Sequence, residues 1–148
     1  MRTSVSTYKE DADLSRVLSV LDELPFSLKY TDGKREYIIH HHSGVTQIEK
    51  FEGHTHSLYT HSIHDEGGYT GLEKHLMLVD PRYIVRNSAI KYKDTNNEGA
   101  IVYILSMKLD GVEVVNELFI EDGLLTKIIG EKNLNEIDLF YEHRASKD

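Results

Sequence analysis

The chain has no cysteine and no tryptophan, and its 148 residues include only two prolines, Pro25 and Pro81. Without thiols there is no disulfide framework and no thiolate metal site. No run of about 18 apolar residues is present, so no membrane-spanning helix is expected. The N-terminus lacks the apolar core of a signal peptide, which makes a cytoplasmic protein the default expectation. Positive charge is also scarce: 17 Lys and Arg stand against 25 Asp and Glu, a net charge of -8. That balance argues against a broad polyanion-binding surface. The acids concentrate at both ends, in Glu10, Asp11, Asp13, Asp22 and Glu23 and again in Glu113 to Asp122 and Glu131 to Asp138, so a local basic surface in the middle remains open.

What is present reads as one folded domain spanning residues 1–148. Apolar content is a modest 39%, but it falls in periodic runs, which a disordered chain does not show. Leu14, Val17, Leu18, Leu21 and Leu24 form the stripe of an amphipathic helix, with Asp11 or Thr7 as its cap and Pro25 at its end. Phe26, Leu28 and Tyr30 alternate as a half-buried strand, and Asp32-Gly33 is a hairpin signal leading into Glu36 to His40. These residues make an αβ lead-in over 1–34. After Ser88, Ile90 to Lys93 continues or restarts a strand, Ala100 to Leu109 is the strongest strand in the sequence, and Asp110-Gly111 turns into Val112 to Val115. Asn116 to Gly130 reads either as a hairpin about Asp122-Gly123 or as a helix interrupted by Gly123. A tail over 131–148 is expected to carry one more short helix through Ile137, Phe140 and Tyr141.

The central stretch runs strand, polar loop, strand, turn, helix, strand. Val45 to Glu49 is β-rich, Gly53 to His56 is the loop, and Asp65 to Gly68 is a turn cluster. Thr70-Gly71-Leu72-Glu73 has the form of a capping box, and Leu72, Leu76 and Val79 share a helical face. Pro81 disfavours α geometry at Asp80, so that helix is expected to stop there and Tyr83 to Ser88 to form a strand. The fold class expected from this order is α+β: a mostly antiparallel sheet with an N-terminal amphipathic helix and one central short helix.

In that order the central elements resemble the LytTR-type DNA-binding domain of bacterial regulators. The resemblance rests on Val45-Thr46-Gln47-Ile48-Glu49, the loop Gly53-His54-Thr55-His56, the helix Leu72-Glu73-Lys74-His75-Leu76, and Asp80-Pro81-Arg82-Tyr83-Ile84-Val85-Arg86-Asn87-Ser88. Ile101-Val102-Tyr103 with Asp110-Gly111 stands for a last hairpin, and 35–130 is the LytTR-like region. It implies a small stand-alone transcriptional regulator with no catalytic role and no cofactor. Its DNA contacts would come from His54 or His56 in one loop, Arg86 and Asn87 at a strand end, and Lys50, Lys91 and Lys93 against phosphates. An amide at Asn87 would read a base edge, and Arg86 would hold a phosphate. The family's serine-arginine near the last strand is replaced by Asn116-Glu117, and the segment after Ser88 is short by about four residues.

Two other readings stand beside it. Gly68 to Gly130 is similar to the back half of an NTF2-like cone, a small-molecule-binding protein or enzyme, and Glu121 to Leu125 would be its hairpin. That alternative needs a hairpin over Asn116 to Ile129, whereas the LytTR-like reading takes the chain out of the sheet there. In the third reading a LytTR-like domain acts through a protein partner, and a homodimer is compatible with any of the three. Histidines at His54, His56, His61 and His64 have spacing that metal ligation would allow, though no fixed-spacing motif such as H-E-x-x-H accompanies them. His40-His41-His42 alternates faces on a strand, so at most two of its rings share a side.

Overall fold

The computed structural model describes residues 6–42, 45–62, 79–96, 98–130 and 136–141. The expected capping box at Thr70 and the helix through Leu72 and Leu76 lie outside these residues, as do His64 and His75. Among the described residues nine strands run in one antiparallel sheet: β1 (Phe26–Asp32), β2 (Arg35–His42), β3 (Val45–Glu52), β4 (Thr55–Ser62), β5 (Ala89–Thr95), β6 (Ile101–Leu109), β7 (Val112–Glu121), β8 (Leu124–Gly130) and β9 (Glu136–Tyr141). Their order across the sheet is β4-β3-β2-β1-β9-β8-β7-β6-β5. Two meanders, β1 to β4 and β5 to β9, are joined where the last strand pairs with the first: Phe26 lies opposite Tyr141 and Leu28 opposite Leu139.

The turns follow from residue chemistry. Asp110-Gly111 and Asp122-Gly123 both carry positive φ at each position, 51° and 81° in the first and 53° and 78° in the second. Paired positive φ is the signature of type I′, whose twist matches the flanking strands. Asn116 to Ile129 is therefore a hairpin, β7 into β8, and the chain stays in the sheet.

Alternation gives the sheet two faces. On the inner one, Phe26, Leu28, Tyr37, Ile39, Ile48, Tyr103, Leu105, Leu118, Ile120, Leu125 and Ile137 are buried. Helix α1 (Ala12–Glu23) covers this face with Leu14, Val17, Leu18 and Leu21, four of the five residues of the sequence stripe; the fifth, Leu24, is the C-cap and is exposed. Both proposed caps are used: Asp11 accepts from the Leu14 N–H, while Thr7 and Glu10 form a capping box on a single 3-10 turn, Tyr8–Glu10.

The α+β expectation is corrected. The described chain is dominated by one nine-stranded antiparallel sheet, and its helices are α1, the six-residue α2 (Pro81–Arg86) and the turn before α1. Two local misreadings contributed. Ile137 and Leu139 sit on the buried face of β9, so the presumed helical tail is a central strand. Tyr83 to Ser88 is not a strand: Pro81 opens α2 at its first turn with Asp80 as N-cap, where a missing N–H costs nothing. Asn87 is the C-cap of α2, and its side-chain amide donates to the Tyr83 carbonyl at 2.8 Å. Asn87→Ala should therefore lower stability by about 0.5–1.5 kcal/mol, the net worth of one such hydrogen bond. Urea unfolding measures this, and an unchanged midpoint would show that the cap is dispensable.

Candidate functional site

The hairpin registers place four polar side chains in a diagonal line across β1 to β4 on the outer face. Ser27 lies opposite His40 on β2, and Glu49 on β3 lies two residues along from Gln47, the partner of His40. Ser27 Oγ is 2.7 Å from His40 Nδ1, and His40 Nε2 is 2.7 Å from Glu49 Oε2. His56 Nε2 reaches the other carboxylate oxygen at 3.1 Å. The Phe51 ring stacks on His56 at 4.4 Å between centroids, holding the end of the line.

The electronics follow from the partners. An ionised carboxylate only accepts, so His40 Nε2 carries a proton, and in the neutral ring Nδ1 accepts from the Ser27 hydroxyl. The hydrogen bond from His40, joined by that from His56, holds the Glu49 carboxyl below its ordinary value. Serine, imidazole and carboxylate in this order have the connectivity of a nucleophile with its base and orienter. The surroundings do not complete one. Ser27 sits within a strand paired on both sides, by β2 and β9, so the neighbouring ladder spends its backbone donors and leaves no oxyanion hole beside it among the described residues. The line is open to water, with His40 and His56 side chains 39% and 51% exposed. What it offers is a fixed, exposed array of hydroxyl, imidazole and carboxylate.

A second polar group lies on the inner side and is closed. Asp80 accepts from the Arg82 backbone N–H and from its guanidinium, and Arg82 Nη2 donates to His41 Nδ1 at 2.9 Å. Thr46 Oγ1 is 3.1 Å from the same nitrogen, and the Arg82 guanidinium lies over the Phe26 ring. Burial pushes Asp80 up, but Arg82 and His41 outweigh it and hold the carboxyl below its ordinary value. Burial pushes His41 down to about 4, with Arg82 adding to the effect and Asp80 opposing it. The group binds α2 to β2 and β3.

The residues expected to contact DNA are not brought together. His54 is in the two-residue turn between β3 and β4, and His56 is on the outer face. Arg86 and Asn87 belong to α2, which packs Ile84 and Val85 into the inner core. Arg86 is ion-paired with Asp22 of α1. Lys93 donates to Asp11 at 3.1 Å and Asp13 at 2.9 Å. Lys50 is half-buried in register with the inner residue Tyr37, and Lys91 is exposed at a bulge in β5. Among the described residues no group of three or more His, Asp or Glu side chains is placed to hold a metal ion. Ser27 and the pairing of His40 with Glu49 were missed in the sequence. The signal for them was register: once Gly33-Lys34 is taken as a two-residue turn, Ser27 must face His40.

No family model matches the chain, and no curated protein matches it.

The inner group fixes a pH dependence. The folded-state value of His41, about 4, is below its ordinary 6.5, so between these pH values the unfolded chain binds more protons than the folded one. Stability then falls as pH drops through that window, by roughly 3 kcal/mol if the shift is fully expressed. Asp80, also depressed, withdraws its contribution at lower pH still. Urea unfolding at pH 7.5 and pH 4.5 should show the loss in the natural chain and a smaller loss in His41→Gln; equal losses in the two would remove His41 as the cause.

Proposed function

We propose that this chain is a non-catalytic binding domain that acts through a protein partner, with the β1 to β4 half of the sheet as its contact surface. The observation that carries this reading is Leu58, 60% exposed at the middle of β4 and in register with Glu49, beside the Ser27-His40-Glu49-His56 line. An exposed aliphatic side chain next to fixed polar groups is the make-up of a protein contact, with an apolar centre and hydrogen-bonding rim. Phe140, 55% exposed on β9 and directly opposite Ser27, extends the same surface.

A nucleic-acid partner is less well supported. The net charge is -8, and of the expected phosphate contacts Arg86 and Lys93 are already engaged by carboxylates of α1 and its cap. Counterion release needs free cations on one surface. Catalysis is disfavoured by the missing oxyanion donors beside Ser27. Among the described residues no helix is long and apolar enough to cross a membrane, and a cytoplasmic setting is part of the proposal.

A photo-crosslinking amino acid at position 58, with position 92 on β5 as control, tests the reading in cells. Covalent protein adducts are expected from position 58 and not from 92. Adducts to nucleic acid, or none at 58 where 92 reacts, would overturn it.

A further inference from the structure

The two edges of the sheet differ. A strand edge presents unpaired N–H and C=O groups, and natural sheets guard such edges with charges, bulges or short strands. The β5 edge is guarded by charges and a bulge. It carries Lys91, Lys93 and Asp94, a register break between Ile90 and Tyr92, and a bridge from Ser6 to Ile90. The β4 edge has none of them. Thr55–Ser62 contains no Asp, Glu, Lys, Arg or Pro. It pairs with β3 in unbroken register over its full eight residues, and among the described residues no strand pairs on its other side.

We infer that the β4 edge is a two-fold interface at which a second copy of this chain adds its own β4 antiparallel, making one continuous sheet through the dimer. The inference rests on the protein-contact reading and names the partner. A two-fold axis normal to the sheet brings like faces together, so the residues paired across it must belong to the same face. With Leu58 on the axis, Leu58 meets Leu58 of the second copy, His56 meets Thr60, and Ser57 meets position 59. Each of these pairs is free of like charge. The alternative with position 59 on the axis sets Leu58 against Thr60 and leaves it without an apolar partner. The Leu58-centred register is thus the one that covers the most exposed large apolar side chain among the described residues.

Charge permits a self-contact here and opposes it elsewhere. The chain as a whole repels its copy, but among the described residues the acids on β3 beside this edge are already engaged: Glu49 by His40 and His56, and Glu52 by Arg35 at 3.5 Å. Glu49 and its symmetry mate are separated by three strand spacings, about 14 Å, beyond the screening length of about 8 Å at physiological salt. At the β5 edge, by contrast, Lys93 is held by Asp11 and Asp13, but self-pairing would still set exposed Lys91 and Asp94 against the second copy across a broken register.

Sedimentation velocity on the purified full chain, over a wide range of concentration, is expected to show a monomer–dimer equilibrium. Leu58→Lys places two like charges on the axis and should weaken the dimer at least about 100-fold. Leu58→Glu should do the same. Mixing the two variants should restore a dimer of one chain of each, which requires that position 58 face position 58. Tyr92→Lys, on the other edge, should leave dimerisation unchanged. Should either charged variant fail to fold, Leu58→Cys in this cysteine-free chain gives a covalent dimer on oxidation faster than Tyr92→Cys does. A natural chain that stays monomeric, a dimer indifferent to both charge variants, or equal oxidation rates would overturn the inference. A monomer in solution whose position 58 nevertheless crosslinks a different protein in cells would overturn self-association and leave the protein-contact reading standing.

Discussion

The pairing of β1 with β9 holds the rest of the molecule together. Each meander is built from neighbouring hairpins, but the inner face covered by α1 spans both, and that face exists only because the first and last strands lie side by side. The register of this pairing is held by burial. Phe26, Leu28, Leu139 and Tyr141 point inward; a slip of one residue would bring Ser27, Lys29, Asp138 and Phe140 to the core instead. Joining residues more than a hundred positions apart costs loop-closure entropy before it returns any burial, and sheets dominated by such contacts fold slowly.

Helices on the inner side are fastened by charge as well as by apolar contact. Asp11 caps α1 and at the same time accepts from the Tyr103 hydroxyl at 2.6 Å and from Lys93, so the helix start is tied to β6 and β5. Burial pushes the Tyr103 hydroxyl up, and the Asp11 carboxylate adds to that. Arg86 links α2 to α1 through Asp22, and Asp80, Arg82 and His41 link α2 to β2. Of these pairs only Asp80 with Arg82 is buried, and there desolvation consumes much of the attraction; Arg86 with Asp22 and Lys93 with Asp13 lie at the surface, where an ion pair contributes about 0–1 kcal/mol. Their consequence for function is that the inner side's cations are committed to the fold.

The outer face of the β1 to β4 half is different in kind. Its polar line is satisfied within itself but exposed, so it presents a fixed pattern to whatever docks there. Preorganised groups lose little entropy on association, which favours recognition. The same half ends in the one unguarded edge among the described residues, so face and edge form a continuous contact surface. The opposite half turns charges and a bulge outward.

Local chemistry was readable in the chain. The amphipathic stripe of α1, the Asp-Gly turns and the alternation of β6 depend on residues within a few positions of one another, and periodicity carries that information directly. The faces of His40, His41 and His42 were likewise fixed by the period of two: His41 is buried inside, and His40 lies outside with Ser27. Long-range partnership decided the rest. Asp80-Pro81 can end one element or begin another, and α2 forms because Ile84 and Val85 find the inner core. The segment through Ile137 is a strand because β1 and β8 flank it, and Arg86, Asn87 and Lys93 become fastenings because acids or carbonyls lie beside them in space. A sequence specifies turns and alternation through neighbours, but which side chains meet across a nine-stranded sheet is set by the register of pairings that only the folded chain completes.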